Sequence, residues 1–198
     1  MTRAPEALAV PGPRTSQPRG WWGVILLALS EGTLFGTIFG TYFYLRFKAP
    51  HWPPLADPQP KVVVPLILAG VLATTSLPMQ LAYRAGREGR ARPAQLFLAV
   101  AFVVQCGYFA MQMHLFVDAV RKDPPSTDAY ASITHLMVGA DHFHVLVGLF
   151  GTLFLLAKLI DGRVTGYRAT GLRAGAIYWH FVNLLTLCVV GVQLSPTL

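Results

Sequence analysis

The stretch Trp21–Tyr44, WWGVILLALSEGTLFGTIFGTYFY, decides the fold of this chain. It is apolar along its whole length apart from a single charged residue, Glu31. A helix of this length rises about 36 Å, which is enough to cross the hydrocarbon core of a bilayer. We therefore predict a transmembrane helix here, with further apolar helices of the chain packed around it.

Small residues recur at every fourth position of this stretch, so a helix places them along one side. They are Ala28, Gly32, Gly36 and Gly40. Small side chains allow the backbones of two helices to approach closely, which is how helices associate in lipid. We predict that partner helices pack against this small-residue side.

Glu31 lies on the neighbouring side of the helix, in a stripe with larger side chains: Leu27, Phe35, Phe39 and Phe43. An ionisable group at membrane depth is costly, so it indicates a functional site. Two interpretations stay open. The carboxyl is either hydrogen-bonded to a neighbouring helix, or it faces a lipid-filled or wet crevice. Both predict a neutral carboxyl, because removal from water disfavours the charged form.

The composition favours a membrane protein and argues against a nucleic-acid partner. The chain has 198 residues, of which 54% are hydrophobic and 13% charged, and its mean hydropathy is +0.48. Soluble domains carry about 25% charged residues. The net charge of +7 comes from basic residues in short loops between apolar runs, which is typical of membrane topology signals.

Four further apolar runs predict helices over residues 62–83, 94–117, 129–160 and 174–193, with a kink at Pro78 near the end of the second helix. The fold class is therefore all-α, a polytopic membrane protein with five transmembrane helices. Most of the basic residues fall on the side of the N-terminus, so the positive-inside rule predicts a cytoplasmic N-terminus and a C-terminus outside. We predict two parts, a mobile cytoplasmic tail at 1–20 and a single bundle at 21–198.

Several polar residues lie within the predicted helices and are candidates for a site. His142 and His144 are two positions apart, so they point to different sides of a helix and cannot chelate one ion. Asp141 and His144 share a face and, with His180, predict a small polar cluster. A haem or metal held by His144 and His180 is one interpretation, and hydrogen bonds that join helices are the other. Gln105, Gln112 and His114 are predicted to be the inner polar groups of their helix, and His180 and Asn183 an interhelical patch.

Five motifs resemble subunit III of the haem–copper oxidases. The run Trp22–Phe35 is similar to the Ser-Glu helix of that family, and Trp52-Pro53-Pro54 to the WPP of the loop after it. His144–Gly148 resembles the HVxxG end of the family's FHGxHVxxG motif, and Tyr178–Asn183 resembles its YWHFVD motif, including Trp179 and His180. Gln112 falls where the family often has a glutamine.

The sequence departs from the family pattern at four points, one of which is the absence of the Glu that usually follows soon after the Gln, with His114 and Leu115 nearby instead. Asp141 stands where the family has the first His of FHGxH, His142 stands where it has Gly, and Asn183 stands where it has the final Asp of YWHFVD. These departures indicate a divergent member of the short, five-helix bacterial form.

The resemblance implies an accessory subunit of a bacterial respiratory oxidase in the cytoplasmic (inner) membrane. Such a subunit belongs to an oxidoreductase complex without holding its catalytic centre. It would bind no cofactor itself, and haem and copper would be in its partners, oxidase subunits I and II. The resemblance further implies phospholipid binding beside the Glu31 helix and support of proton uptake and turnover. Two alternatives stay open, a subunit-III-like partner of nitric oxide reductase and a stand-alone haem- or metal-binding membrane protein.

Overall fold

A computed structural model describes residues 19–54, 63–162 and 169–195. Its regular elements are all helices, and no strand occurs in these ranges. They are α1 (Arg19–Lys48), α2 (Val63–Thr74), α3 (Ser76–Arg87), α4 (Ala91–Lys122), α5 (Ala129–Ile160) and α6 (Thr170–Leu194). The predicted tail lies outside the described residues apart from its last two, which already belong to α1. The division into tail and bundle stays a prediction.

The helices form five apolar spans, as the sequence predicted. In the described part of the chain α1, α4, α5 and α6 are each long and apolar enough to cross a membrane, and α2 with α3 makes the fifth span at Val63–Arg87. The bounds of α5 coincide with the predicted 129–160. Its start is fixed by Asp128, whose side chain accepts a hydrogen bond of 2.8 Å from the backbone N–H of Ala131. The orientation of the spans stays a prediction.

The break between α2 and α3 falls at Thr75, in the middle of the span rather than near its end. Pro78 causes it, because proline has no N–H to offer the carbonyl four residues earlier. The hydroxyls of two threonines bond to backbone carbonyls beside the break: Thr74 Oγ1 donates to Val71 O and Thr75 Oγ1 donates to Leu72 O, both at 2.6 Å. Polar backbone at membrane depth needs such partners.

Helix α6 is the centre of the bundle, packing against α1, α2, α3 and α5. One apolar core joins α2–α6 around Leu72, Leu98 and Trp179. A second core joins α1 to α5 and α6 and includes Phe35 and Met137. Helix α1 is therefore attached along a single seam, formed by α5 and α6.

Helix α1 packs through its aromatic side and not through its small-residue side, so that prediction is wrong. Phe35 is 1% exposed, whereas Gly32, Gly36 and Gly40 are exposed, and a Cβ added at any of these glycines would meet no atom within 4 Å. Larger side chains provide the dispersion contacts at this seam, since each buried aromatic ring touches many atoms at once.

Candidate functional site

Glu31 and His144 form a polar pair between α1 and α5. Glu31 Oε2 lies 2.9 Å from Nε2 of His144, and the side chains are 24% and 8% exposed. The other ring nitrogen, Nδ1, lies 2.7 Å from the backbone carbonyl of Ala140. This contact agrees with the interpretation in which the Glu31 carboxyl bonds to a neighbouring helix, and the role of Glu31 stays a prediction.

The geometry fixes how the pair can hold protons. A carbonyl oxygen only accepts hydrogen bonds, so Nδ1 of His144 bears a hydrogen and donates to Ala140. Nε2 then either accepts from a protonated Glu31 or, as part of an imidazolium, donates to a Glu31 carboxylate. Both arrangements keep one proton between Oε2 and Nε2 and leave the pair with no net charge. Neutrality suits a site at membrane depth.

Replacing Glu31 by Gln is expected to leave folding and assembly intact. The amide has the shape of a protonated carboxyl, and its N–H can donate to Nε2 of His144. We expect the unfolding free energy to change little, because no buried donor or acceptor of the pair is left without a partner. Thermal unfolding of the purified variant in detergent checks this. A large loss of folded protein would mean that a charged carboxylate is needed.

Two side chains hold His144 in place. The ring of Phe35 meets the imidazole edge-on, with 5.3 Å between ring centroids. Tyr178 of α6 donates its hydroxyl to the backbone carbonyl of His144 at 2.9 Å. The aromatic stripe that includes Phe35 therefore has a partner inside the bundle, in α5.

Asp141 lies about one turn before His144 on α5, and its carboxylate bonds to α6 while His144 bonds to α1. It is 3% exposed, and its Oδ1 accepts a hydrogen bond of 2.8 Å from Thr186 of α6. On α4, buried Gln112 donates to the hydroxyl of Tyr108 at 3.5 Å. His142 points from α5 to α4, where it stacks on Phe116 with centroids 5.3 Å apart. These groups bond between or within helices, as expected for buried polar side chains in a membrane.

The interhelical patch on α6 reaches α3 just after the break at Thr75. Asn183 donates to the hydroxyl of Ser76 at 2.8 Å, and Nε2 of His180 lies 3.5 Å from Oε1 of Gln80. His180 is exposed, whereas Asn183 is 4% exposed. These two contacts therefore join α6 to α3, which is the C-terminal half of the span that breaks at Thr75.

The predicted cluster of Asp141, His144 and His180 does not form. His144 points to Glu31 on α1, while His180 points to Gln80 on α3, so the two imidazoles share no ligand position. No group of three or more His, Cys, Asp or Glu side chains in the described ranges is arranged to hold a metal ion. His114 was predicted to point inward, but its side chain is 72% exposed and lies 3.8 Å from Asp118.

Trp179 is the largest of the fully buried side chains within the described ranges. Its indole N–H donates to Thr152 of α5 at 2.7 Å, and Thr152 in turn lies 3.4 Å from the amide oxygen of Gln105. The ring passes directly over Gly148, where an added Cβ would come within 2.7 Å of it. Gly148 and Trp179 therefore fit each other closely, and a side chain at position 148 would overlap the indole ring.

An apolar groove runs between α1, α5 and α6 and encloses about 260 Å³. Its residues include Val24 and Leu27 of α1, Val147 and Gly151 of α5, and Tyr178 of α6. Leu27 is one helical turn from Glu31, and Val147 is almost one turn from His144, so one end of the groove adjoins the pair.

Basic residues lie at the other end of the groove. Phe154 lines it, and Nζ of Lys158 lies 4.4 Å from the centroid of that ring. The guanidinium of Arg173, next to groove residue Ala174, lies 5.9 Å from the ring of Trp21. The groove therefore has an apolar interior and basic side chains at one end.

Comparison with known proteins identifies the family. The family model described as cytochrome c oxidase subunit III matches residues 16–192. The chain belongs to this family. Its five apolar spans and this membership together make it a multi-pass membrane protein.

Relatives within the subunit III family include bacterial proteins. A cytochrome c oxidase subunit 3 of Synechocystis is 26% identical, over 83% of this chain and 70% of the relative. A probable cytochrome c oxidase subunit 3 of Nocardia farcinica is 27% identical, over 82% and 81%. A cytochrome bo(3) ubiquinol oxidase subunit 3 of Pseudomonas aeruginosa is 26% identical, over 63% and 60%. The resemblance drawn from the motifs is therefore confirmed.

Sequence reasoning missed hydroxyl groups that complete the site. Tyr178 supports His144, Thr186 binds Asp141 and Thr152 binds Trp179. Thr186 lies three positions after Asn183, so helical spacing was a usable signal for it. Tyr178 lies in the motif quoted for Tyr178–Asn183, and Thr152 follows Gly148 by four positions, but neither spacing names the partner, because every one of these three partners is on another helix.

Proposed function

We propose that this chain is an accessory, non-redox subunit of a bacterial respiratory haem–copper oxidase in the cytoplasmic membrane. Its partners would be subunits I and II, which would hold the haem and copper. Membership of the subunit III family carries this proposal. The Glu31–His144 pair beside an apolar groove supports the finer part, in which the chain binds phospholipid and helps to sustain proton uptake and turnover.

The groove suits one acyl chain of an anionic phospholipid. Its walls are almost wholly apolar, and Gly151 leaves room for a hydrocarbon chain to lie close to the backbone of α5. Lys158 and Arg173 are placed to attract a phosphate at the end that the positive-inside rule predicts to be cytoplasmic. A chain in this position would end beside the Glu31–His144 pair and limit the access of water to it.

A pull-down from native membranes tests the partners. The tagged chain is solubilised in mild detergent, and the co-purifying proteins are identified by mass spectrometry together with a reduced-minus-oxidised spectrum. We expect a multi-span subunit I with haem and a copper-bearing subunit II. A nitric oxide reductase in their place would favour the alternative partner, and haem on the isolated chain would favour a role of its own for His144 or His180.

Deleting the chain is expected to leave the haems of the oxidase in place but to shorten its active lifetime. An accessory subunit holds no redox centre, so initial turnover should persist while the enzyme inactivates earlier and pumps protons less well. Oxygen consumption followed to inactivation, with a haem spectrum of the same membranes, measures this. Unchanged lifetime and pumping in the deletion strain would contradict a supporting role.

Filling the groove with the Gly151→Leu variant is expected to reduce the co-purifying phospholipid several-fold. The leucine side chain would occupy the space that a hydrocarbon chain needs, and nothing in the described structure lies within 4 Å of a Cβ at this position. Lipid bound to the purified protein is quantified by native mass spectrometry. Gly107→Leu is the matched control, because Gly107 is an equally open glycine on α4, away from the groove. Equal lipid loss in both variants would argue against a groove site.

A further inference from the structure

Tyr178 touches both features of the site. Its side chain lines the groove, and its hydroxyl donates to the carbonyl of His144 at 2.9 Å. It is only partly buried and lines the groove, so a molecule in the groove would contact it. No other groove residue in the described ranges has a side-chain hydrogen bond to the Glu31–His144 pair or to its backbone.

The hydrogen bond from Tyr178 acts on the turn of α5 that orients the imidazole. His144 is held to α5 through Nδ1 and Ala140, so its ring direction follows the helix backbone at this point. The contact between Nε2 and Glu31 at 2.9 Å therefore depends on where that turn sits relative to α1. A shift of a few tenths of an ångström in the turn would lengthen this bond beyond the usual hydrogen-bond range.

We infer that Tyr178 is a positioning residue that couples the groove to the Glu31–His144 pair. A hydrocarbon chain in the groove packs on the tyrosine ring, the ring holds its hydroxyl on the His144 carbonyl, and the imidazole stays on Glu31. With the groove empty, the ring is free to turn towards the vacant space and water reaches Glu31, which is 24% exposed. This inference rests on the proposed binding of lipid in the groove.

The test is an infrared difference measurement on the purified full chain. The bands of the Glu31 carboxyl are assigned as those lost in Glu31→Gln. Delipidated protein is then titrated with palmitoyl-oleoyl phosphatidylglycerol, and bound lipid is counted by native mass spectrometry. We expect lipid to shift the Glu31 bands of the parent protein. In Tyr178→Phe, which keeps the ring and loses the hydroxyl, lipid should still bind and the shift should be lost.

The possible outcomes distinguish the coupling role of Tyr178 from the proposed binding of lipid in the groove. If lipid binds both proteins and shifts the Glu31 bands equally, the coupling role of Tyr178 is overturned and lipid binding stands. If lipid binds neither protein, the groove proposal fails and the inference fails with it. Should Tyr178→Phe not fold, Gly151→Leu replaces it: a filled groove should leave the Glu31 bands insensitive to added lipid, and a persisting shift would overturn the inference.

Discussion

Replacing Gly148 by Ala is expected to destabilise the bundle by about 1–3 kcal/mol, as overpacking of a close-packed core does. The new methyl group would come within 2.7 Å of the Trp179 ring, and two further ring atoms lie within 3.1 Å. The ring cannot move away freely, because its N–H is bonded to Thr152 at 2.7 Å and the side chain is 1% exposed. Thermal unfolding of the purified protein, followed by tryptophan fluorescence, measures the loss.

Gly151→Ala is the matched control for this prediction. It makes the same exchange one turn later in α5, where an added Cβ meets no atom within 4 Å. Alanine favours a helix over glycine by up to about 1 kcal/mol, so this variant should be as stable as the parent or slightly more so. Equal destabilisation at both positions would show that α5 resists any glycine replacement, and that the contact with Trp179 is not the cause.

The second large effect is expected when one member of the Glu31–His144 pair is removed. His144→Leu leaves the Glu31 carboxyl without its partner in a region of low dielectric. An unsatisfied buried polar group costs about 1–3 kcal/mol. Removing both members, in Glu31→Leu with His144→Leu, removes that penalty, so the double variant should be more stable than the sum of the single losses predicts. Equilibrium unfolding of all four proteins gives this coupling free energy.

His180→Leu is the control within the same residue type. His180 is exposed, and its contact with Gln80 is long at 3.5 Å. Its replacement should change stability by about 0.5 kcal/mol or less, as surface substitutions do. A loss from His180→Leu as large as that from His144→Leu would mean that membrane-depth histidines matter for a reason other than the Glu31 contact. Strict additivity of the single losses would contradict a coupled pair.

The helices were predictable because each signal for them is local. Length and apolar composition are read along one segment, so all five spans were found, and the predicted start of α5 at residue 129 is the start that the structure shows. The break before Pro78 was placed too late, because proline removes a hydrogen bond four residues earlier and the backbone opens there. The sequence analysis therefore named the right cause of the kink, Pro78, but placed the kink about one turn too late.

The packing of α1 was not predictable from its pattern. Its sequence offers two sides that could meet other helices, one with small residues and one with aromatic rings. Which side faces inward depends on the shape of α5 and α6, where Met137 and Leu185 fill the space around Phe35. Small residues allow two helices to approach closely, but they do not determine whether α1 packs through its small-residue side or through its aromatic side.

The sequence indicated which polar residues lie at membrane depth, but it identified only some of the residues that they contact. Helical spacing placed His142 and His144 on different sides of α5, and in the structure they turn to α4 and α1. It placed His180 and Asn183 on one face of α6, and both contact α3. The predicted cluster of His180 with Asp141 does not form. Whether the two residues meet depends on how α6 is rotated relative to α5, and the spacing within one helix does not give that rotation. Glu31 was singled out because an ionisable group is costly in lipid. Its partner, His144, lies in a helix distant along the chain, so only the tertiary structure identifies it.

The contact between Glu31 and His144 joins residues 113 positions apart, and this separation imposes an order on biosynthesis. At about 5–20 residues per second, a ribosome needs roughly 6–23 s to make the intervening chain. During that interval α1 has already emerged, while α5, which supplies its partner, has not been translated. Glu31 is therefore without its partner until α5 has been made, and water or another polar group has to satisfy its carboxyl until His144 arrives.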